Sequence, residues 1–332
     1  MNLKIIFFGS TSDSVLILEK LFNFRLPPAF RRGRTFDFRL ISVVTQPPRP
    51  VGRNRVLTPT PVEDWARKQR VTVLSFPSSP QKPWLYENEE TVIETLAPIK
   101  ADLLISACYG QKIPIAVINK ACFGGLNVHP SILPRWRGAD PVPWAILTDD
   151  RQIGVTIVRL STKFDQGVIF AQEKLNITEE DTTDQLRSKL FTMGADLLRK
   201  NLPDILCGKL KGSPQKTEGT APYARRLTRD DGFEPWGIIQ KTYADPTEAA
   251  RIYRKFRAFS PWPGVWTEIE TRDKRQGTGK TKKRLKIISC HLQPTTNNLQ
   301  LDLVQLEGKK PTSFRQFSTA YLPNDDIPNN TP

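Results

Sequence analysis

Two polar residues interrupt an apolar run, Asn127 and His129, in the stretch LNVHPSILPRWRG from Leu126 to Gly138. Separated by one position, they leave the same face of the chain if Leu126 to His129 is extended. Pro130 stops such a strand, because it has no backbone donor and holds His129 in an extended conformation. The pair is then left at a strand terminus, where a loop-lined crevice can form. A side-chain amide placed there can donate to developing negative charge, and an imidazole can move a proton. The chain has two histidines, His129 and His291, so histidine chemistry has few candidates. The tripeptide by itself also fits a proline-rich turn whose histidine bonds only its own loop. A second stretch, KFDQG at Lys163 to Gly167, carries Asp165, which read alone is a surface loop acid.

The elements that must position these residues follow the pattern of an open α/β sheet. Leu3 to Phe8 is a continuous apolar run with one charge, followed by Gly9-Ser10 and an apolar-periodic stretch from Val15 to Phe22. That order predicts a buried parallel strand, a tight turn and a helix. Strands at Leu40–Thr45, Val71–Leu74 and Asp102–Ala107 alternate with helices at Val62–Gln69 and Thr91–Leu96. Sheets of this kind bind ligands beyond the carboxyl ends of their strands. GSTSDS lacks the later glycines of a dinucleotide fingerprint, and no acid ends the next strand, which excludes a nicotinamide cofactor. Further on, Asp140-Pro141 predicts a helix start, and Ile153–Leu160 with Val168–Leu175 predicts a β-hairpin whose loop holds Asp165. Thr182-x-x-Gln185 reads as a capping box opening a helix to about Leu206. Cys207 to Arg226 shifts to Gly, Pro, Lys and Thr without periodicity and reads as a basic linker. A helix at Thr247–Phe259 and β-rich runs at Val265–Glu270, Leu285–Leu292 and Leu299–Val304 then predict a compact, mostly β second domain.

Length and charge bound the function. The 332 residues suffice for two domains, each with its own core. No uninterrupted apolar run approaches the roughly 20 residues of a membrane span, so no membrane partner is expected. A net charge of +15 and a pI near 9.8 call for a polyanionic partner, nucleic acid before anionic membrane. Cys108, Cys122, Cys207 and Cys290 lie far apart without Cys-x-x-Cys spacing, which argues against a zinc site or a disulfide framework. Positive charge concentrates early: Arg25, Arg31, Arg32, Arg34, Arg39, Arg49, Arg53 and Arg55 stand against the single acid Asp37. Within that region Gln46 to Thr58 has too many Pro and Gly residues for strand or helix and reads as an exposed loop at the end of the second strand. Its arginines Arg49, Arg53 and Arg55 suit phosphate contact, and its prolines limit the entropy lost on binding. Arg272 to Lys286, with eight Lys or Arg and one Asp, reads as a second basic loop whose plainest role is a solvated hairpin tip.

The run LNVHPSILPRWRGADPV resembles the signature of the folate-dependent formyltransferases, and among them those acting on initiator methionyl-tRNA. VTQPPRPVGR (Val44 to Arg53), ACYGQKIP (Ala107 to Pro114), VTIVRLSTKFDQG (Val155 to Gly167), RAFSPWPGVWTEI (Arg257 to Ile269) and LEGKKPTSFRQF (Leu306 to Phe317) resemble family segments in the family's order. The resemblance implies a Rossmann-like formyltransferase domain with an open, mostly parallel sheet over 1–206, the linker 207–226, and a small β-rich, OB-like domain over 227–325 that binds tRNA. It implies formyl transfer from 10-formyltetrahydrofolate to the amino group of methionine on initiator tRNA, an acyl transfer between nitrogens through a tetrahedral oxyanion. Asn127, His129 and Asp165 are the implied catalytic residues, with Asp165 brought beside His129 to favour its charged form and to relay the amine proton through water. The folate pocket is implied at Tyr109, Gly110, Gln111, Ile113 and Pro114 with Ser131, Ile132, Leu133 and Pro134. The Gln46–Thr58 loop resembles the one that enters the acceptor arm, and no metal is required. A monomer is expected.

This sequence departs from the bacterial pattern at three places. Val168 stands where a second Asp follows Asp165, Pro130 replaces a glycine, and Asp140 replaces a small residue. A mechanism with two carboxylates in the Asp165 loop is therefore in doubt. The last two changes resemble eukaryotic organellar members, and with the basic pI they make the mitochondrial matrix the expected compartment. Because the first strand begins at Leu3, the import segment is expected to be removed, missing from the gene model, or replaced by an internal signal. Two alternatives share the Asn, His and Asp pattern: a formyltetrahydrofolate hydrolase and a sugar-amine formyltransferase, neither of which needs the basic loop. A third, an inactive RNA-binding homologue, has no need of the three polar residues.

Overall fold

The computed structural model describes residues 2–22, 37–52, 54–216, 221–272 and 280–322. The chain divides into two compact units, the first made of Met1–Pro141, Gln152–Asn176 and Leu186–Arg225, the second of Val142–Arg151, Ile177–Gln185 and Arg226–Pro332. The second unit takes two segments, Val142–Arg151 and Ile177–Gln185, from within the span 1–206.

The first unit is built on a seven-stranded sheet. Its strands are β1 (Asn2–Phe8), β2 (Asp37–Thr45), β5 (Thr72–Ser75), β6 (Leu103–Ser106), β7 (Gly125–His129), β9 (Gln152–Arg159) and β10 (Ile169–Asn176). Their order is β10-β9-β7-β6-β1-β2-β5. The pairs from β7 to β5 are parallel, and β9 runs antiparallel to both β7 and β10. The continuous apolar run of β1 follows from burial on both faces. Ile5 and Phe7 enter one core with Ile17, Val128 and Phe191, while Ile6 and Phe8 enter another with Val44, Val92 and Val117. Helices α1 (Ser12–Phe22), α2 (Pro61–Lys68), α3 (Glu89–Leu96) and α4 (Ile115–Lys120) connect these strands. Thr60 caps α2 by accepting from the Glu63 N–H at 3.1 Å, with Pro61 at the first helical position. The long helix α6 (Thr183–Leu206) opens with the expected box, the Thr182 N–H donating to Gln185 Oε1 at 3.0 Å. A Cβ on Gly194 of α6 would lie 2.6 Å from Val128 and 2.8 Å from Val155. That glycine lets the helix sit directly against the middle of β7 and β9.

Two expectations change in this unit. Gln46–Thr58 is not wholly loop: β3 (Arg49–Val51) pairs antiparallel with β4 (Val56–Thr58), and all six residues are exposed. A two-stranded ribbon outside the sheet tolerates Pro50, which would break a central strand. Arg25, Arg31, Arg32, Arg34 and Arg53 lie outside the described residues. The 207–226 stretch, where described, packs on the first unit. Ser213 and Ile169 exchange backbone hydrogen bonds at 2.8 and 2.9 Å, and β11 (Tyr223–Ala224) pairs in parallel with β8 (Arg137–Gly138). Its composition resembles a linker because short backbone pairings need no apolar period.

The second unit contains α5 (Pro141–Leu147), α7 (Trp236–Lys241), α8 (Pro246–Phe259) and α9 (Phe314–Tyr321). Its sheet is antiparallel, in the order β12 (Trp266–Arg272), β13 (Lys280–Leu292), β14 (Leu299–Leu306) and β15 (Thr312–Ser313). Ile239, Ile252, Val265, Leu285, Leu301 and Phe317 fill its core. Both ends of the expected 272–286 loop are therefore strand, with Lys280–Lys286 drawn into β13, where Lys282 lies opposite Glu270 and Arg284 opposite Glu268. Opposite charges across a strand pair favour that register. Among the described residues no helix is long and apolar enough to cross a membrane.

Candidate active site

β7 carries the site to the carboxyl edge of the sheet. Asn127 sits opposite Ser106 of β6 and Val158 of β9, and His129 opposite Thr156. As the spacing predicts, both side chains reach one point. Asn127 Nδ2 lies 3.4 Å from Asp165 Oδ1, and His129 Nδ1 lies 3.4 Å from the same oxygen. The imidazole and carboxylate are 5% and 9% exposed, so their attraction is poorly screened by water. On its other side His129 Nε2 is 3.0 Å from the Trp136 carbonyl oxygen. A carbonyl only accepts, so Nε2 carries a hydrogen, and the proton in play is the one at Nδ1 beside Asp165.

Beyond His129 and Asn127, Asp165 is held through the backbone of its own loop and of Gly138. Its φ is +55°, a conformation that aspartate tolerates better than most residues. Oδ2 accepts the Gly138 N–H at 3.0 Å. Gly138 itself has φ +116°, and a Cβ there would meet Ala224 O at 2.4 Å, so no other residue fits without displacing β11. Gln215 fixes the loop from outside, its Nε2 donating to Asp165 O at 2.6 Å and Gly167 O at 2.9 Å. Arg137 in turn donates to Gln215 Oε1 from Nε at 2.9 Å and Nη2 at 2.6 Å. Sequence reasoning misses Gln215, which sits fifty positions from Asp165 in a stretch of linker-like composition. It also misses the Trp136 carbonyl and the Gly138 amide, because backbone groups leave no mark in residue identity.

The loop after His129 is equally fixed. Ser131 is fully buried and donates to Arg135 O at 2.8 Å, while Thr156 Oγ1 donates to Ser131 O at 2.6 Å. Leu133 is buried, and Ile132 and Pro134 are half-buried. On the facing loop, Ile113 and Pro114 are buried and Gly110 is exposed. Gln111 is 3% exposed, and its Oε1 has no hydrogen-bond partner among the described residues. Tyr109 differs from its expected role. Its ring packs edge-on to Phe8 at 5.3 Å and its hydroxyl bonds that of Tyr86 at 2.9 Å, so a ligand meets its main chain only. The arginines of the ribbon fall elsewhere on the same unit: Arg49 and Arg55 are exposed on β3 and beside β4.

Beyond the tip of β6 lies a buried group that the sequence does not announce. Arg187 of α6 forms an ion pair with Asp13 of α1, with Nε to Oδ2 at 2.9 Å, and its Nη2 is 3.7 Å from Cys108 Sγ. Burial pushes the Cys108 thiol up to about 11, outweighing the guanidinium beside it.

A parallel-sheet unit with an amide, an imidazole and a carboxylate converging at its carboxyl edge defines an acyl-transfer scaffold, and comparison gives it a family. Residues 4–202 match the formyl transferase family and residues 246–301 match the formyl transferase C-terminal domain. The chain belongs to the formyl transferase family. It is 38% identical over 267 residues to the methionyl-tRNA formyltransferase of Listeria monocytogenes, covering 80% of this chain and 76% of that one. It is 34% identical over 270 residues to the methionyl-tRNA formyltransferase of Staphylococcus epidermidis, covering 81% and 77%. The fold matches a 4-N formyltransferase from Francisella tularensis with TM-score 0.56 at 15% identity, over 84% of this chain and 96% of that one. It also matches an N-formyltransferase from Helicobacter canadensis, solved with folinic acid and dTDP-3-aminofucose, with TM-score 0.55 at 16% identity, over 88% and 89%.

Proposed function

We propose that the protein transfers the formyl group of 10-formyltetrahydrofolate to the α-amino group of methionine carried by initiator tRNA. The convergence of Asn127 and His129 on Asp165 carries this reading, together with identity to methionyl-tRNA formyltransferases over most of the chain. In the transfer a bond forms between the amine nitrogen and the formyl carbon, the bond from that carbon to N10 of the folate breaks, and the proton shed by the amine ends on N10. The Asn127 amide is available to the oxygen on which negative charge develops. His129, its Nε2 hydrogen committed to Trp136 O, exchanges a proton through Nδ1 with Asp165 alongside. The residue after Gly167 is a half-buried valine, so this route uses one carboxylate.

The donor fits the loops on either side of the site. Gln111 offers a buried acceptor without a partner among the described residues, suited to an N–H of a pterin ring, and Ile113, Pro114 and Leu133 supply apolar surface. The exposed β3–β4 ribbon, with Arg49, Arg55, Val51, Val56 and Leu57 all turned to solvent, serves as the contact to the acceptor arm. The C-terminal unit, which we read as OB-like, offers its basic β13 to further phosphates. A sugar-amine substrate leaves this basic surface without a role. The proposed compartment is the mitochondrial matrix, supported by the pI near 9.8 and by Pro130 and Asp140, and fractionation that finds the protein only in cytosol overturns it. The decisive assay supplies methionine-charged initiator tRNA and 10-formyltetrahydrofolate and looks for formylmethionyl-tRNA. No product with active co-substrates refutes the reading.

A further inference from the structure

Tyr223 is 64% exposed although its backbone is fixed on both sides. It pairs with Arg137 and its neighbour Ala224 with Gly138; the Trp136 N–H donates to Pro222 O at 3.0 Å and the Ala139 N–H to Ala224 O at 2.8 Å. The phenol ring lies against Gly138: a Cβ at that position would come within 2.8 Å of Tyr223 Cζ and 2.9 Å of Cε2. The Gly138 N–H is the donor that holds Asp165 Oδ2 at 3.0 Å. An exposed aromatic is therefore set one residue away from the carboxylate of the reacting centre, on a backbone that cannot swing without disturbing that carboxylate.

We propose that Tyr223 is the stacking platform for the base of the terminal, aminoacylated nucleotide. The inference rests on the tRNA reading above and names where the end of that substrate lies. The methionine amine and the terminal base are joined only through the α-carbon, the ester and the ribose. With the amine at His129 and Asp165, the base must come to rest at the rim of the site, which is where the Tyr223 ring stands. A single-stranded end presents its base face uncovered, and aromatic side chains take such faces without sequence preference. Tyrosine loses little rotamer freedom on binding, and its pairing with β8 fixes the backbone beforehand. The base then holds the end of the tRNA at the rim of the site, so that the stack contributes to the binding of charged tRNA.

The test uses full-length protein and uncharged initiator tRNA whose 3′-terminal adenine is replaced by fluorescent 2-aminopurine, which stacking quenches. Wild type and Tyr223→Phe should quench it; Tyr223→Ala and Tyr223→Leu should bind the tRNA without quenching. In formylation assays the two non-aromatic variants should raise KM for charged tRNA roughly 5- to 100-fold, the range expected for removing one base stack. Their kcat and their KM for the folate should stay within about twofold. Equal quenching by wild type and Tyr223→Leu overturns the proposal, as does quenching that vanishes in Phe164→Ala, the other exposed aromatic by Asp165, while surviving in Tyr223→Leu. Wild type that quenches but forms no formylmethionyl-tRNA leaves the platform standing and refutes the catalytic reading instead.

Discussion

His129→Ala removes the group whose Nδ1 faces Asp165, and Asp165→Ala removes the acceptor that His129 and Asn127 share. Each should lower the rate of formyl transfer by about a hundredfold or more, the scale of a positioned acid-base group, in a protein whose melting curve is little changed. Near-normal turnover in either variant would displace the site. Gln215→Ala acts at one remove, by freeing the Asp165 and Gly167 carbonyls. It should cut kcat roughly tenfold while leaving KM for the folate unaltered, because only the loop's placement is disturbed. Asn127 and His129 are legible in the sequence because a period of two and a following proline fix their geometry. Asp165 is legible only by likeness to a family, since nothing local ties a loop acid to a strand end thirty-eight positions earlier. Gln215 is illegible, because a polar residue among Gly, Pro and Lys carries no period from which its partners could be inferred.

At the scale of elements, the β3–β4 ribbon is the part whose removal separates tRNA binding from chemistry. Replacing Arg49, Arg53 and Arg55 by alanine should weaken tRNA binding and flatten its dependence on salt by up to about one unit of slope for each phosphate no longer neutralised. Folate affinity should not move, and an unaltered slope would put the tRNA-binding surface elsewhere. α1 and α6 offer a second case. Asp13 and Arg187 are mostly buried, and Asp13→Ala strands the guanidinium beside Cys108. Loss of a partner from such a pair should cost on the order of 3 kcal/mol in denaturant unfolding of the first unit. Strands and long helices are well marked in the sequence, because apolar runs and capping boxes are local. The ribbon, β8 and β11 escape notice because each rests on two or three backbone pairings that any residue can make.

At the scale of the molecule, stability depends on charges that lie within one unit. In the second unit Glu234 accepts from Lys255 Nζ at 2.7 Å and from Arg251 Nη1 and Nη2 at 3.0 and 3.2 Å. Burial works against its ionised form, but the hydrogen bonds from Arg251 and Lys255 outweigh it and hold the carboxyl below its usual range. A carboxylate depressed on folding adds stability above its unfolded pKa, near 4.3, and that stability is lost as pH falls through the lower folded value. Acid melting of the second unit should therefore steepen below about pH 4–5 and be flatter in Glu234→Gln. The same unit is stitched from separate parts of the chain. Arg257 Nη1 donates to the Thr178 and Asp181 carbonyls at 3.0 and 3.1 Å, Thr183 Oγ1 donates to Ala258 O at 2.6 Å, and Arg254 pairs with Asp149 at 2.8 Å. A fragment starting at Arg226 lacks all of these partners, and it should melt below the corresponding transition of the full chain. The second unit is thus not a cassette that a fusion at the linker can transplant: a gene joined anywhere after residue 206 would inherit a C-terminal piece without Val142–Arg151 and Ile177–Gln185, the lengths of chain that brace it.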